Sequence, residues 1–455
     1  MLSVFVHTLG CKLNQLESEA AADAFRQAGF SLFNNLTGNS PSVIIINTCT
    51  VTSKADQKAR RVIRKALKDY PDSIIIVTGC YAQLDYPQII KLDEKQSGRF
   101  FVLRGREKEN ILKLPQYFYE CSDFSQALKN WRAASENQKQ EDGVFQFSPE
   151  KFSGRTRSFI KIQDGCGNKC TYCRIRLARG PSVSLDSDRV LERLKILEEN
   201  HAEAVLTGVN ICQYSDKPDA GRLTANNLGG LLEYLLCGTE KISLRLSSLE
   251  PDSIDENFIK TLSHKRIRPH FHLSVQSGSD KILERMGRGY NAKAIKNAVT
   301  LLRRVKDDPF LACDIIAGFP GETEDEFKKT YEMCKEIDFA WIHVFPYSKR
   351  EGAPASLFQD SVNEKEIINR VSLLTDLAWS GRTEYVQRWL GRETEILIEK
   401  GGTSGYCRGI SQNYLKLLLP HNGRKTHSPG TVLHCKIAEN HVEKHRDYDA
   451  IVEII

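Results

Sequence analysis

Cys166, Cys170 and Cys173 stand in the run QDGCGNKCTYC, a CxxxCxxC spacing. Three thiolates this close can hold three irons of a cubane, and an ordinary 4Fe–4S cluster takes four cysteine ligands. A fourth cysteine is missing nearby, so one iron would stay open to a small molecule. The spacing differs from the paired CxxC…CxxC of a zinc ribbon. A second trio is spread along the first part of the chain: Cys11 in HTLGCKLNQ, Cys49 in INTCTVT and Cys80 in VTGCYAQ. Each follows a short apolar, β-branched run. In an open parallel sheet, ligands sit beyond the carboxyl ends of the strands. Cysteines at three such ends would converge on one sheet edge as another three-ligand cluster site with one open iron. Cys121, Cys212, Cys237, Cys313, Cys334, Cys407 and Cys435 share no such pattern and read as packing or incidental thiols.

The elements that must position these cysteines read as α/β. Over residues 1–115, strands are expected at Ser3–His7, Val43–Asn47 and Ser73–Thr78, with helices at Glu17–Ala28, Ser53–Tyr70 and Pro87–Leu92. That alternation predicts a parallel sheet. Residues 116–152 are polar and read as a linker, with some helix around Phe124–Trp131. Over 153–383 a strand-then-helix rhythm returns, with strands at Ser158–Gln163, Ala204–Thr207, Ser243–Ser247, His270–Val275, Leu311–Ile316 and Trp341–Phe345. Six βα units predict a barrel or partial barrel whose reactive groups lie on the loops after the strands. Those loops are the CxxxCxxC segment, LTGVN, SSLEP, QSGSD, AGFPGE and PYSKREGAPAS. The tail, 384–455, alternates short apolar runs with turns and predicts a small all-β barrel.

Bulk properties narrow the class. A chain of 455 residues accommodates about two to four domains. No apolar run approaches the ~18 residues of a membrane span. The start, MLSVFVHTLGC, lacks the basic and long apolar regions of a signal peptide, so a cytoplasmic protein without membrane association is expected. Thirteen cysteines in a reducing compartment point to metal binding or chemistry rather than disulfides. Net charge is only +6, so its distribution matters more than its sum. Lys54, Lys58, Arg61, Lys65 and Lys68 recur at helical intervals opposite Ala59, Val62, Ile63, Ala66 and Leu67. A nearly single-signed helix face suits a phosphate backbone.

Together these segments make the chain resemble the radical S-adenosylmethionine (SAM) methylthiotransferases over nearly its whole length. The resemblance is carried by TLGCKLNQLESE, INTCTVTSKAD, VTGCYAQ, QDGCGNKCTYC, LTGVNI, RLSSLEP, QSGSDKILERMGRGY, DIIAGFPGETEDEF and HVFPYSKREGAPAS. It implies an N-terminal methylthiotransferase domain, a partial (β/α)6 radical-SAM barrel and a C-terminal TRAM domain. It implies a radical-SAM 4Fe–4S cluster on Cys166, Cys170 and Cys173, an auxiliary 4Fe–4S cluster on Cys11, Cys49 and Cys80, and two SAM molecules per turnover. Tyr172 matches the aromatic near the adenine of SAM, and Gly278 and Pro320 fall in motifs that line its pocket. NTCTVT, TLGCKLNQ and HVFPYSKREG are most similar to the branch acting on N6-threonylcarbamoyladenosine (t6A) at position 37 of tRNA. The implied partners are tRNA, held by the TRAM barrel and the basic helix, and a reductant such as a flavodoxin or ferredoxin system, with the enzyme a monomer or weak dimer. The other branches take N6-isopentenyladenosine-37 or a ribosomal-protein aspartate. Outside this class, the alternatives are a non-catalytic zinc- and RNA-binding protein and an electron carrier; glycine-rich turns at five strand ends argue against the carrier. Three segments depart from the pattern: RIRLARG carries Arg174 and Arg176 where apolar residues and a proline are usual, PSVS follows it, and Ala353 replaces a common threonine.

Overall fold

The computed structural model describes residues 2–36, 40–105, 107–121, 124–136, 143–149, 156–216, 226–403, 405–421, 427–442 and 447–455. The domain boundary expected at 152/153 lies outside the described residues. The chain divides into two compact units. One takes residues 1–153, 164–167 and 173–182, and the other takes 154–163, 168–172 and 183–455.

The first unit is a five-stranded parallel sheet. Its order is Ser31–Phe33, Ser3–Thr8, Val43–Thr48, Ile74–Gly79, Phe100–Val102. The two central strands are buried throughout, as apolar runs in a parallel sheet covered on both faces must be. Ile45 and Ile76 face Phe25, Leu128 and Trp131 on one side. Ile44, Ile46, Ile75 and Val77 face Ala59, Ile63 and Ala66 on the other. The helices are Lys12–Gln27 and Ser53–Asp69. The stretch expected to be a polar linker is more ordered than that. It contains helices Leu114–Glu120 and Phe124–Glu136, and Trp131 is buried in the sheet core with its indole N–H donating to the Asn110 carbonyl at 2.9 Å.

The second unit begins with six parallel strands in two three-stranded sheets. Ser158–Lys161, Glu203–Thr207 and Ser243–Leu246 form one; His270–Gln276, Phe310–Ala317 and Trp341–Pro346 form the other. Bridges Leu244–Ile267 and Leu249–Leu273 link them, giving the expected partial barrel. The 26-residue helix Glu364–Trp389 leads to a closed five-stranded barrel of the expected kind. An ion pair joins this small barrel to the larger one, and others brace the larger barrel and the long helix. Arg268 spans Glu203 at 3.2 Å and Glu395 at 2.8 Å, while Arg245 grips Glu203 with two hydrogen bonds at 2.7 and 2.8 Å. Arg382 donates to Asp449 at 2.7 Å. Loss of Arg382 would leave the Asp449 carboxylate buried and unpaired, which costs about 3–5 kcal/mol.

Candidate functional site

In the first unit, strands Ser3–Thr8, Val43–Thr48 and Ile74–Gly79 are adjacent, and their carboxyl ends lead directly to Cys11, Cys49 and Cys80. Cys49 and Cys80 are buried and Cys11 is exposed. Two glycines create the approach. A Cβ on Gly10, at φ +107°, would lie 2.8 Å from Cys49 Sγ, and one on Gly79, at φ +100°, would lie 2.2 Å from the Thr48 carbonyl oxygen. Only glycine takes both the conformation and the space.

Asn14, wholly buried, clamps the loops. Its Nδ2 donates to the carbonyls of Leu9 at 2.8 Å and Thr48 at 3.0 Å, the residues just before Gly10 and Cys49. Thr48 in turn donates through Oγ1 to the Thr78 carbonyl at 2.5 Å. Burial pushes the Cys49 thiol up to about 12, and the neighbouring Cys11 and Cys80 add to the effect by charge repulsion. Such a thiol is protonated at neutral pH unless a bound cation draws the proton off. Among the described residues no three His, Cys, Asp or Glu side chains converge as on a single metal ion. A cubane asks for something else, since each thiolate takes a different iron. Three neighbouring thiols at one sheet edge, two of them in a dry setting, fit that demand.

A buried charge network adjoins this trio. Arg179 donates through Nη2 to Asn14 Oδ1 at 2.9 Å, and through Nη1 to Glu17 Oε1 at 3.0 Å and Asp164 Oδ2 at 3.0 Å. Lys108 Nζ completes it, 2.5 Å from Glu17 Oε1. Asp164 stands two residues before Cys166 and also accepts from the Gly165 N–H at 2.7 Å. Thus one guanidinium ties the residue that clamps the Cys11 and Cys49 loops to the start of the CxxxCxxC loop, all within the first unit. Sequence reading missed Asn14, Glu17, Lys108, Asp164 and Arg179. Arg174, whose role the sequence left open, forms an ion pair with Asp85 at 3.3 Å, and Arg176 is exposed.

All three cysteines of the CxxxCxxC loop are half-buried. Gly165, at φ +70°, lets the chain pass the Pro181 carbonyl, which a Cβ would meet at 1.9 Å. The Ile175 N–H donates to Cys173 Sγ at 3.4 Å. In the second unit, Arg288 donates through Nη1 to Cys170 Sγ at 3.1 Å and through Nη2 to Glu250 Oε1 at 2.7 Å. Glu250 also accepts from Asn168 at 2.7 Å and Asn210 at 2.9 Å. These groups come from the SSLEP, LTGVN and MGRGY segments, which were visible as motifs although their individual side chains were not singled out. Tyr172 packs edge-on to Phe319 of the AGFPGE turn, centroids 6.5 Å apart. Gly278 and Pro320 are both buried. A Cβ on Gly278 would strike Thr330 Cα at 2.7 Å, so helix packing by itself demands the glycine.

Helix Ser53–Asp69 is capped by Thr52, whose Oγ1 accepts from the Ala55 N–H at 3.2 Å. Lys54, Lys58, Arg61, Lys65 and Lys68 are exposed, Ala59, Ile63 and Ala66 buried. Arg64, also exposed, widens the basic face, whereas Arg60 turns in to the Tyr81 hydroxyl at 2.7 Å. No helix of the described residues is long and apolar enough to cross a membrane.

Comparison with known proteins bears on the same segments. Residues 160–334 match the radical SAM superfamily, and residues 3–99 match an uncharacterized protein family, UPF0004. The chain is 37% identical to the threonylcarbamoyladenosine tRNA methylthiotransferase MtaB of Treponema pallidum, over 96% of this chain and 98% of that one. It is 33% identical to the protein of the same name from Bacillus subtilis, over 92% and 90%. A tRNA-2-methylthio-N(6)-dimethylallyladenosine synthase from Methylacidiphilum infernorum is 29% identical over 93% and 90%. Among solved structures, the radical S-adenosylmethionine methyltransferase TsrM from Kitasatospora setae, with cobalamin and a [4Fe-4S] cluster bound, superposes with TM-score 0.51 at 14% identity, covering 78% of this chain and 77% of that one. That likeness is one of fold.

Proposed function

Because this chain belongs to the threonylcarbamoyladenosine tRNA methylthiotransferase family, we propose that Cys166, Cys170 and Cys173 hold its radical-SAM cluster and that Cys11, Cys49 and Cys80 hold its auxiliary cluster. The enzyme methylthiolates C2 of N6-threonylcarbamoyladenosine at position 37 of tRNA, giving 2-methylthio-N6-threonylcarbamoyladenosine, with two 4Fe–4S clusters and SAM as cofactors. When bound, these groups supply the radical that opens an unactivated aromatic C–H bond and the methylated sulfur that takes its place, steps beyond acid–base side chains.

The protein's own residues bind, orient and insulate. Arg288 neutralises charge beside Cys170 and is itself fixed by Glu250. Tyr172 offers an aromatic edge to the adenine of SAM, and the backbone around Gly278 and Pro320 shapes the turns of its pocket. Arg179, Asn14 and Asp164 hold the loops of the first unit in register. Lys54, Lys58, Arg61, Lys65 and Lys68 contact phosphates of the tRNA, and the C-terminal barrel adds to its grip. Base-specific contact falls on an unstacked loop nucleotide, which a protein can splay out. A flavodoxin or ferredoxin system delivers electrons to a monomer or weak dimer in the cytoplasm.

The observation that carries the reading is the position of Cys11, Cys49 and Cys80 at the ends of three adjacent parallel strands, in a chain that also has the CxxxCxxC loop. Anaerobic purification tests it. A brown protein with about eight irons, four per cubane, supports two clusters. Colourless protein with stoichiometric zinc contradicts them.

A further inference from the structure

Three side chains on the second unit's inner sheet face have no place in the cluster sites. Strands His270–Gln276, Phe310–Ala317 and Trp341–Pro346 are adjacent and parallel, with His272 opposite Ala312 and Asp314 opposite His343. Residues two apart share a face, so His272, Asp314 and His343 project from the same side. The other side carries Phe271, Leu273, Leu311, Cys313, Ile315 and Ile342, all fully packed. The polar side stays open: His272 and Asp314 keep 17% and 22% of their side-chain surface, and His343 is exposed.

The row is pre-arranged. The two imidazoles stack at 5.1 Å and 17°. His272 Nε2 lies 2.9 Å from Asp314 Oδ1. Trp341 donates its indole N–H to His343 Nδ1 at 3.2 Å, which in the neutral ring puts the proton on Nε2. Asp314 lies three residues before the strand's last residue, Ala317, roughly 10 Å down the barrel from the strand end.

We propose that His272, Asp314 and His343 form the recognition site for the N6-threonylcarbamoyl group of the substrate base. That group carries a carboxylate, a hydroxyl and urea N–H groups. Imidazole N–H groups donate to the carboxylate, and Asp314 accepts from the hydroxyl or a urea N–H. A dimethylallyl group offers no carboxylate, hydroxyl or urea N–H to them, and sites built for hydrogen bonding reject such analogues strongly. The inference rests on the t6A reading above and extends it to named side chains.

The test is binding by the intact, cluster-loaded enzyme, under anaerobic conditions, of two fluorescent anticodon stem-loops, one with t6A at position 37 and one with plain adenosine. The wild-type enzyme prefers the t6A RNA. His272→Ala and His343→Ala each weaken binding of the t6A RNA by about tenfold or more, the cost of one lost hydrogen bond to a charged group, and leave the plain RNA unchanged. His343→Gln, which keeps a donor near Nε2, recovers part of the loss. Circular dichroism checks that each variant is folded, and Asp314→Asn serves where a histidine variant is not. A wild-type preference that survives every variant, or equal losses on both RNAs, overturns this inference alone. A wild-type enzyme indifferent to the threonylcarbamoyl group overturns it together with the t6A reading.

Discussion

Arg179 reaches Asn14 across 165 residues of sequence with a 2.9 Å hydrogen bond from Nη2 to Oδ1. Asn14 holds the loops that carry Cys11 and Cys49, and the same guanidinium holds Asp164 at the start of the CxxxCxxC loop. Arg179, Lys108, Glu17 and Asp164 are all nearly buried, and their formal charges cancel. Arg179→Ala therefore leaves a buried carboxylate uncompensated. The expected loss is about 3–5 kcal/mol, read as a fall of order 10 °C in the melting temperature of the apoprotein. Arg179→Lys keeps the charge without the fork and falls between the two. An Arg179→Ala protein melting at the wild-type temperature contradicts the network's role.

Cys49→Ala separates the two trios. It removes one proposed ligand of the auxiliary cluster and leaves the sequence of the CxxxCxxC loop unchanged. SAM cleavage, followed as 5′-deoxyadenosine by chromatography, continues. Methylthio product disappears, and iron falls toward about four per chain. Product at the normal yield would show that Cys49 is no ligand.

Cys170→Ala gives the opposite pattern. Its Sγ receives the Arg288 hydrogen bond at 3.1 Å, and without it SAM cleavage stops altogether. Retained iron near four per chain in this variant marks an intact auxiliary site. The same assay on the two variants thus yields complementary losses.

The proposed role of the basic helix is contact with phosphates, and the signature of such contact is salt dependence. Lys58→Glu combined with Lys65→Glu changes two exposed side chains and leaves the buried Ala59, Ile63 and Ala66 in place. Stability stays within about 0.5 kcal/mol of wild type. Affinity for tRNA falls, and the slope of log affinity against log salt becomes shallower by about 1.5 for two lost contacts. Unaltered salt dependence would place the tRNA elsewhere.

The cysteine trios were legible in the sequence because their signals are local. Spacing carries one, and the repeated strand-then-cysteine pattern carries the other. The central strands were legible for the same reason, as unbroken β-branched runs. The edge strands Ser31–Phe33 and Phe100–Val102 have three residues each, too few to show a period. Helix Phe124–Glu136 was half-seen: Leu128 and Trp131 sit one helical turn apart, but the surrounding Gln, Asn and Ser hid the buried face. The charge network was invisible for a different reason. Asn14, Glu17, Lys108, Asp164 and Arg179 look like surface residues in isolation, and only the fold brings them together. The row of His272, Asp314 and His343 likewise exists only once three strands are in register.

The most direct test is mass spectrometry of nucleosides from t6A-containing tRNA treated anaerobically with reconstituted enzyme, SAM and a reductant. The account predicts that threonylcarbamoyladenosine is converted to its 2-methylthio derivative by the wild-type chain and by neither Cys49→Ala nor Cys170→Ala. Unconverted threonylcarbamoyladenosine in tRNA treated with a fully iron-loaded wild-type enzyme, alongside a methylthio group on isopentenyladenosine, would contradict it.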